Sequence, residues 1–222
     1  MQKISIMKKV FLPVVVFISI FIFITKTNAQ MADKDLTGEY YLQGVMEVGS
    51  GLWLKEDHTF EMFFSYGALD KSGNGTWKEE GNKIILNSGE RPANDFKMVS
   101  SKKKGSGITI QVSDANTNIL RYMASRISGK GFSDTIEANQ EGMIHSDRKS
   151  ADSIGLVHQM FSDRVCYFDV SKSEDNYFEF TIEKWILNIY CENLVLTIHD
   201  GYLEGKHPML DPSKEYTFSK SE

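Results

Sequence analysis

The stretch Gly51-Leu52-Trp53-Leu54-Lys55-Glu56-Asp57-His58-Thr59-Phe60-Glu61-Met62-Phe63-Phe64-Ser65-Tyr66 decides the fold. Leu52 and Leu54 fall on one side of an extended chain, with Trp53 and Lys55 on the other. After a polar turn at Glu56-Asp57-His58, Phe60, Met62, Phe64 and Tyr66 alternate with Glu61, Phe63 and Ser65. A period of two is that of a strand, whose successive side chains point to opposite faces. Upstream, Tyr40, Leu42, Gly44 and Met46 share one phase, and Glu39, Tyr41, Gln43 and Glu47 take the other. Downstream, residues 67–74 read as a longer turn, and residues 75–79 and 83–87 as a hairpin around Gly81-Asn82. Five strands with such short connections predict an antiparallel meander within residues 30–98.

Around Pro92 the pattern breaks, with Phe96 and Met98 marking one further short strand. The Gly/Ser-rich, basic residues 102–107 read as a linker or exposed turn. From Ile108 onward, short alternating runs recur at 108–112, 119–127, 134–138, 142–146, 153–158, 165–170, 177–184, 186–191 and 194–199, and Tyr216-Thr217-Phe218 reads as a closing edge. Strands spaced by about ten residues are the signature of a sandwich or barrel. The expected fold is all-β: an antiparallel meander followed by, or packed on, a β-sandwich over residues 106–222.

The first residues read as an export signal. Lys3, Lys8 and Lys9 precede a sixteen-residue stretch, residues 10–25, that carries no charge, and Thr27-Asn28-Ala29 supplies small residues before a cut. Such a helix reaches roughly 24 Å, short of a hydrocarbon core of about 30 Å. Residues 1–29 are therefore expected to be a signal peptide, the mature chain to have no stable membrane span, and its location to be periplasmic or secreted. Cleavage removes four lysines and leaves 21 basic against 30 acidic side chains, a net charge of −9. That surface repels phosphate backbones, so a nucleic-acid partner is disfavoured.

Two cysteines, Cys166 and Cys191, remain in an oxidising compartment. Both fall in the apolar phase of their runs, and a Cys166–Cys191 disulfide is the expectation. It would contribute roughly 3–4 kcal/mol by constraining the unfolded chain.

The segments Ser50-Gly51-Leu52-Trp53-Leu54, Ser65-Tyr66-Gly67-Ala68-Leu69-Asp70 and Gly75-Thr76-Trp77 carry a resemblance. They are similar to the opening of a group of uncharacterised exported bacterial β-proteins and, more loosely, to the first strands of lipocalin-like barrels. Ile108-Thr109-Ile110, Asp134-Thr135-Ile136 and Gln140-Glu141-Gly142 resemble transthyretin-like and carboxypeptidase-regulatory-like sandwiches. The resemblance implies a β-fold and brings no catalytic residues with it. A lipocalin-like barrel takes about eight strands around one cavity, and the meander offers five.

Chemistry-bearing motifs are sparse. No Gly-x-Ser-x-Gly elbow occurs, and Gly105-Ser106-Gly107 sits in a basic turn without a following helix. No phosphate-binding fingerprint is present. His58, His145, His158, His199 and His207 lack the spacing of a metal pair, although His145-Ser146-Asp147 and His199-Asp200 place a carboxylate near an imidazole. The sequence thus assigns no catalytic residue, no metal and no cofactor, and leans away from an enzyme.

Candidate binding residues are aromatic. Tyr41, Trp53 and Phe63 lie opposite the core phase of the meander. Either that face packs on the second part of the chain, which the small core of five strands favours, or it is a binding surface. Tyr66 and Asp70 flank a hairpin tip, where Gly67 and Asp70 also serve as ordinary turn chemistry. The leading expectation is a non-enzymatic binding module for a protein, glycan or small ligand. The alternatives are an envelope hydrolase whose site assembles only in three dimensions, and a lipocalin-like carrier.

Overall fold

The computed structural model describes residues 35–221, so the expected signal peptide lies outside the described residues. The protein is all-β. Strands β1 (Gly38–Leu42), β2 (Val48–Leu54), β3 (Thr59–Tyr66), β4 (Leu69–Glu80) and β5 (Lys83–Asn87) pair antiparallel in succession, as the meander predicts. Hydrophobic phase sets the register: Leu52 lies opposite Tyr40 and Met62, and Leu54 opposite Phe60, all buried.

The β3–β4 turn is shorter than expected. It is Gly67-Ala68 alone, with Gly67 at φ 58°. The residues from Leu69 to Asn74 that read as a loop belong to β4. Gly73 is there because another backbone comes close: a Cβ at that position would lie 2.6 Å from the Ile189 carbonyl oxygen.

A five-stranded meander leaves two free edges. The chain closes them with β14 (Leu194–Ile198), β15 (Tyr202–Gly205) and β16 (Tyr216–Lys220). β14 pairs with β5, β16 returns to β1, and eight antiparallel strands close a barrel. This corrects the expected sandwich over residues 106–222: residues 194–220 belong to the barrel, and Tyr216-Thr217-Phe218 joins two neighbours rather than forming an edge. Leu194 opposes Leu86, and Leu42 opposes Phe218. Pairings so distant in sequence leave no mark on local alternation.

Between β5 and β14 the chain builds the sandwich from β6 (Phe96–Lys102), β7 (Ile108–Ser113), β8 (Met123–Gly129), β9 (Phe132–Glu137), β10 (Met143–Ser146), β11 (Ser153–His158), β12 (Cys166–Asp169) and β13 (Tyr177–Ile182). The sheet orders are β10-β7-β13-β6 and β12-β11-β8-β9. β13 inserts between β6 and β7, parallel to β7 and antiparallel to β6. Edge strand β6 carries a bulge: Met98 opposes Phe180 and Ser100 opposes Glu179, which leaves Val99 unpaired. A bulge flanked by lysines is a common way to blunt an edge. The strand read at 186–191 is absent. Its start is a 3-10 turn, Lys184–Leu187, and the chain then crosses to β4, where the Ile189 amide donates to the Ser72 carbonyl at 2.7 Å.

Two cores result. The sandwich core gathers Ile110, Val112, Ile127, Ile154, Leu156 and Phe180 among others; the barrel core gathers Leu52, Leu54, Phe60, Ile84, Leu86 and Phe218. Cys166 lies in the first and Cys191 in the second, and both are free thiols. The expected disulfide is therefore corrected: inward phase is shared, but the inward faces are those of different cores.

A polar seam lies where the chain passes from barrel to sandwich: Asp95 and Arg164 border the sandwich strands β6 and β12, and Lys71 reaches in from barrel strand β4. Asp95, fully buried, accepts from Arg164 Nη2 at 2.6 Å and Nε at 3.1 Å, and its amide donates to Cys166 Sγ at 3.2 Å. Arg91 spans Asp163 with two bonds of 2.8 and 2.5 Å. Lys71 of β4 is buried and donates to the carbonyls of Phe161 at 2.7 Å and Ile186 at 3.0 Å. Desolvation lowers the pKa of its ammonium below the ordinary lysine value.

Candidate functional site

The outer face of β1–β4 reads in rungs. In one rung Tyr41, Gly51, Phe63 and Ser72 lie side by side; in the next, Glu39, Trp53, Glu61 and Asn74 follow in the same order. The inward phase fills the barrel, so this outward phase is left over from the core. Tyr41, Trp53 and Phe63 are 40%, 44% and 43% exposed. The favoured expectation that this face packs on the second part of the chain is thus corrected. The sandwich docks elsewhere, against Lys71 and the segment after the 3-10 turn.

These two rungs line a concavity of about 340 Å³. Its floor is Gly51, over which the Phe63 ring lies: a Cβ there would sit 2.5 Å from Phe63 Cε1. The Phe63 ring meets Tyr41 edge-on, with centroids 6.4 Å apart and planes at 63°. Tyr41 donates its hydroxyl to Glu39 Oε2 at 2.6 Å, and this bond, with the charge of Glu39, raises its pKa above the ordinary phenol value. Trp53 forms the opposite wall. Lys55 stands over its ring, Nζ 4.5 Å from the centroid, and pairs with Glu61 Oε1 at 2.5 Å. Beyond Trp53 lies a second concavity, bordered by Thr37, Lys55 and Asp57.

Glu39 and Glu61 stand two strands apart, roughly 9.6 Å at the usual strand spacing. The strand between them carries Trp53 in the same rung, so the carboxylates flank an indole instead of facing each other across open space.

Tyr66 and Asp70 do not line the groove. Asp70 accepts from the Ser65 hydroxyl at 2.5 Å across the hairpin, a structural bond. Tyr66 is exposed but takes the phase of Phe64, the opposite side of β3 from Phe63. Sequence reasoning missed Glu39, Glu61, Ser72 and Asn74 as site residues. The parity of Glu39 and Glu61 already matched Tyr41 and Phe63, and that was the available signal.

The histidines occupy separate environments. His207 is buried beside Phe64, Tyr216 and Phe218. Its Nδ1 accepts from the Met209 amide at 3.0 Å, so its proton sits on Nε2 and is donated to Ser50 Oγ at 3.0 Å. Ser50 in turn donates to the Phe63 carbonyl at 2.6 Å. The polarity is reversed from what a nucleophilic serine needs, since the imidazole donates to the hydroxyl. Burial pushes the pKa of His207 down to about 4. His158 repeats this arrangement in the sandwich, accepting at Nδ1 from the Met160 and Phe161 amides and donating from Nε2 to the Ile119 carbonyl at 3.1 Å. Burial lowers its pKa as well.

At the surface, His145 contacts the Thr109 hydroxyl at 3.0 Å and lies 3.7 Å from Asp147. His199 stacks on Tyr202 and pairs with Glu204 at 3.1 Å. Among the described residues, no group of three or more His, Cys, Asp or Glu is placed to hold a metal ion, and no helix is long and apolar enough to cross a membrane. Compared with known proteins, the chain matches no family model and no curated protein sequence.

Proposed function

We propose that this chain is an exported, non-enzymatic binding module whose ligand site is the outer groove of the barrel between Tyr41, Trp53 and Phe63. The observation that carries the reading is the exposure of three registered aromatics on a barrel whose core is complete without them. Aromatic side chains kept on a solvated concave face supply contact area to a ligand. The carrier alternative asks for an apolar interior cavity, and the barrel interior is occupied by Leu52, Leu54, Phe60, Met62, Phe64 and their neighbours. The hydrolase alternative asks for converging acid, base and nucleophile, and both buried histidines are locked as donors at Nε2.

An NMR titration of the mature chain with cellopentaose, choline, and lysine-rich and glutamate-rich octapeptides tests the reading. The expected result is shifts confined to the Trp53 indole and the Tyr41 and Phe63 rings, lost in Trp53→Ala. Shifts that fall on another face, or that persist in Trp53→Ala, would overturn it.

A further inference from the structure

We infer that the groove selects an organic ammonium ion, a small alkylated or quaternary amine taken from solution. This rests on the groove being the ligand site. The charged side chains lining the concavity are Glu39 and Glu61, both acidic, and the aromatic walls present ring faces and edges between them. An aromatic face is negative at its centre and attracts a cation; a carboxylate adds Coulomb attraction. A neutral guest gains neither.

The chain itself displays the chemistry. Lys55 lays its ammonium over one side of Trp53 while pairing with Glu61. The same indole also lines the concavity, where the Phe63 ring lies over Gly51 and Glu39 and Glu61 flank the indole on either side. Each carboxylate commits one oxygen internally, Glu39 Oε2 to Tyr41 and Glu61 Oε1 to Lys55, and retains the other for a guest.

A hard metal ion is a poor match, because it takes six or more oxygen ligands and gains nothing from ring walls. A weakly hydrated organic cation gains from both. The volume, about 340 Å³, lies at the small end of the roughly 300–1,000 Å³ range of ligand sites, which suits a compact cation over a long polymer. The net charge of −9 on the mature chain raises the local concentration of such ions.

The test compares choline with 3,3-dimethylbutan-1-ol, its uncharged isostere, at constant ionic strength on the mature chain, read by the Trp53 indole and Tyr41 ring resonances. Choline is expected to bind about tenfold more tightly than the alcohol or better. Glu39→Gln with Glu61→Gln should cut the advantage of choline over the alcohol to the few-fold part that the ring faces supply. Lys55→Met should tighten choline a few-fold, by releasing Glu61 and the covered side of Trp53. Equal binding of the two probes, or choline binding indifferent to the paired Glu→Gln change, would overturn the inference. If the alcohol or cellopentaose then binds at Trp53, the groove remains the ligand site and only the cation preference falls. If no probe moves the Trp53, Tyr41 or Phe63 resonances, both fall.

Discussion

The barrel and the sandwich begin with the same inventory. Each buries one cysteine, one neutral histidine and the inward phase of its strands. They differ in how their edges end. The barrel joins β16 to β1 and has no edge, whereas the sandwich keeps β6, β9, β10 and β12 at its margins. Its outward faces carry ion pairs such as Arg148–Asp134 and Lys102–Glu179. The barrel carries pairs of its own, Lys55–Glu61 and Lys78–Glu80, and adds three exposed aromatics in register, Tyr41, Trp53 and Phe63, where the sandwich exposes Tyr167. Closure frees the barrel from edge protection, and aromatics that neither fill its core nor guard an edge are available for recognition.

The comparison treats the two parts as distinct cores held by one seam, and the seam is where it breaks most easily. Asp95→Ala leaves Arg164 without its buried acceptor. Removing one partner of a fully buried ion pair costs about 3–5 kcal/mol; Arg164 keeps 28% of its side chain in solvent, so the low end, about 3 kcal/mol, is the loss that equilibrium urea denaturation should show. If the seam is what couples the parts, the unfolding of barrel and sandwich should also separate into two transitions. A loss below about 1 kcal/mol, within the range of a surface pair, would mean that apolar contacts such as Leu69, which touches both cores, join them instead.

The two buried histidines sharpen the contrast by acid. His207 has a folded pKa of about 4, against about 6.5 in an unfolded chain. Above pH 6.5 both states are neutral and the group contributes no pH dependence. As pH falls toward 4 the unfolded state binds the proton first, so stability is lost progressively, by about 3 kcal/mol once the folded pKa is passed. Urea midpoints at pH 7 and 4.5 should show much of this loss, and His207→Gln should flatten it. His158 acts with the same sign in the sandwich. An imidazole NMR titration placing His207 near 6.5 would remove the effect.

Sequence and structure agree where interactions are local. The alternation of Leu52 and Leu54 with Trp53, and of Phe60, Met62 and Phe64 with Glu61 and Phe63, assigned strand and face correctly. It failed where glycine and polar residues stood in for turns. Asp70-Lys71-Ser72-Gly73-Asn74 is strand, because Gly73 makes room for Ile189 and Lys71 reaches the seam. Closure by β14–β16 was illegible for a different reason: it pairs residues more than a hundred positions apart. Cys166 and Cys191 share inward parity, and parity does not say which core is meant. The three aromatics of the site were legible by phase. Their carboxylate neighbours were not singled out, since Glu39 and Glu61 look like any solvated acids until register sets them beside Trp53.

A smaller effect tests the claim that the groove is surplus to stability. Trp53→Ala removes a half-exposed side chain that caps no core, so its cost should stay within about 0.5 kcal/mol, the usual range of a surface change. Loss of Lys55 packing over the indole is the main contribution to that figure. A cost above 2 kcal/mol would make the indole a structural residue and weaken the binding reading.

The smallest expected effect is none at all. Cys166 and Cys191 sit in different cores, and burial raises the pKa of both thiols, that of Cys191 to about 11. Reductant should therefore leave the melting temperature of the protein unchanged, and a thiol reagent should label neither sulfur until the chain unfolds. A drop of several degrees on reduction would mean that the sulfurs are joined. A bond needs Cα atoms within about 7 Å, so joining them would draw one cysteine out of its core. Asp95, whose amide is bonded to Cys166 Sγ, would then lose its place in the seam. Independence of the two cores and freedom of the two thiols thus stand or fall on one measurement.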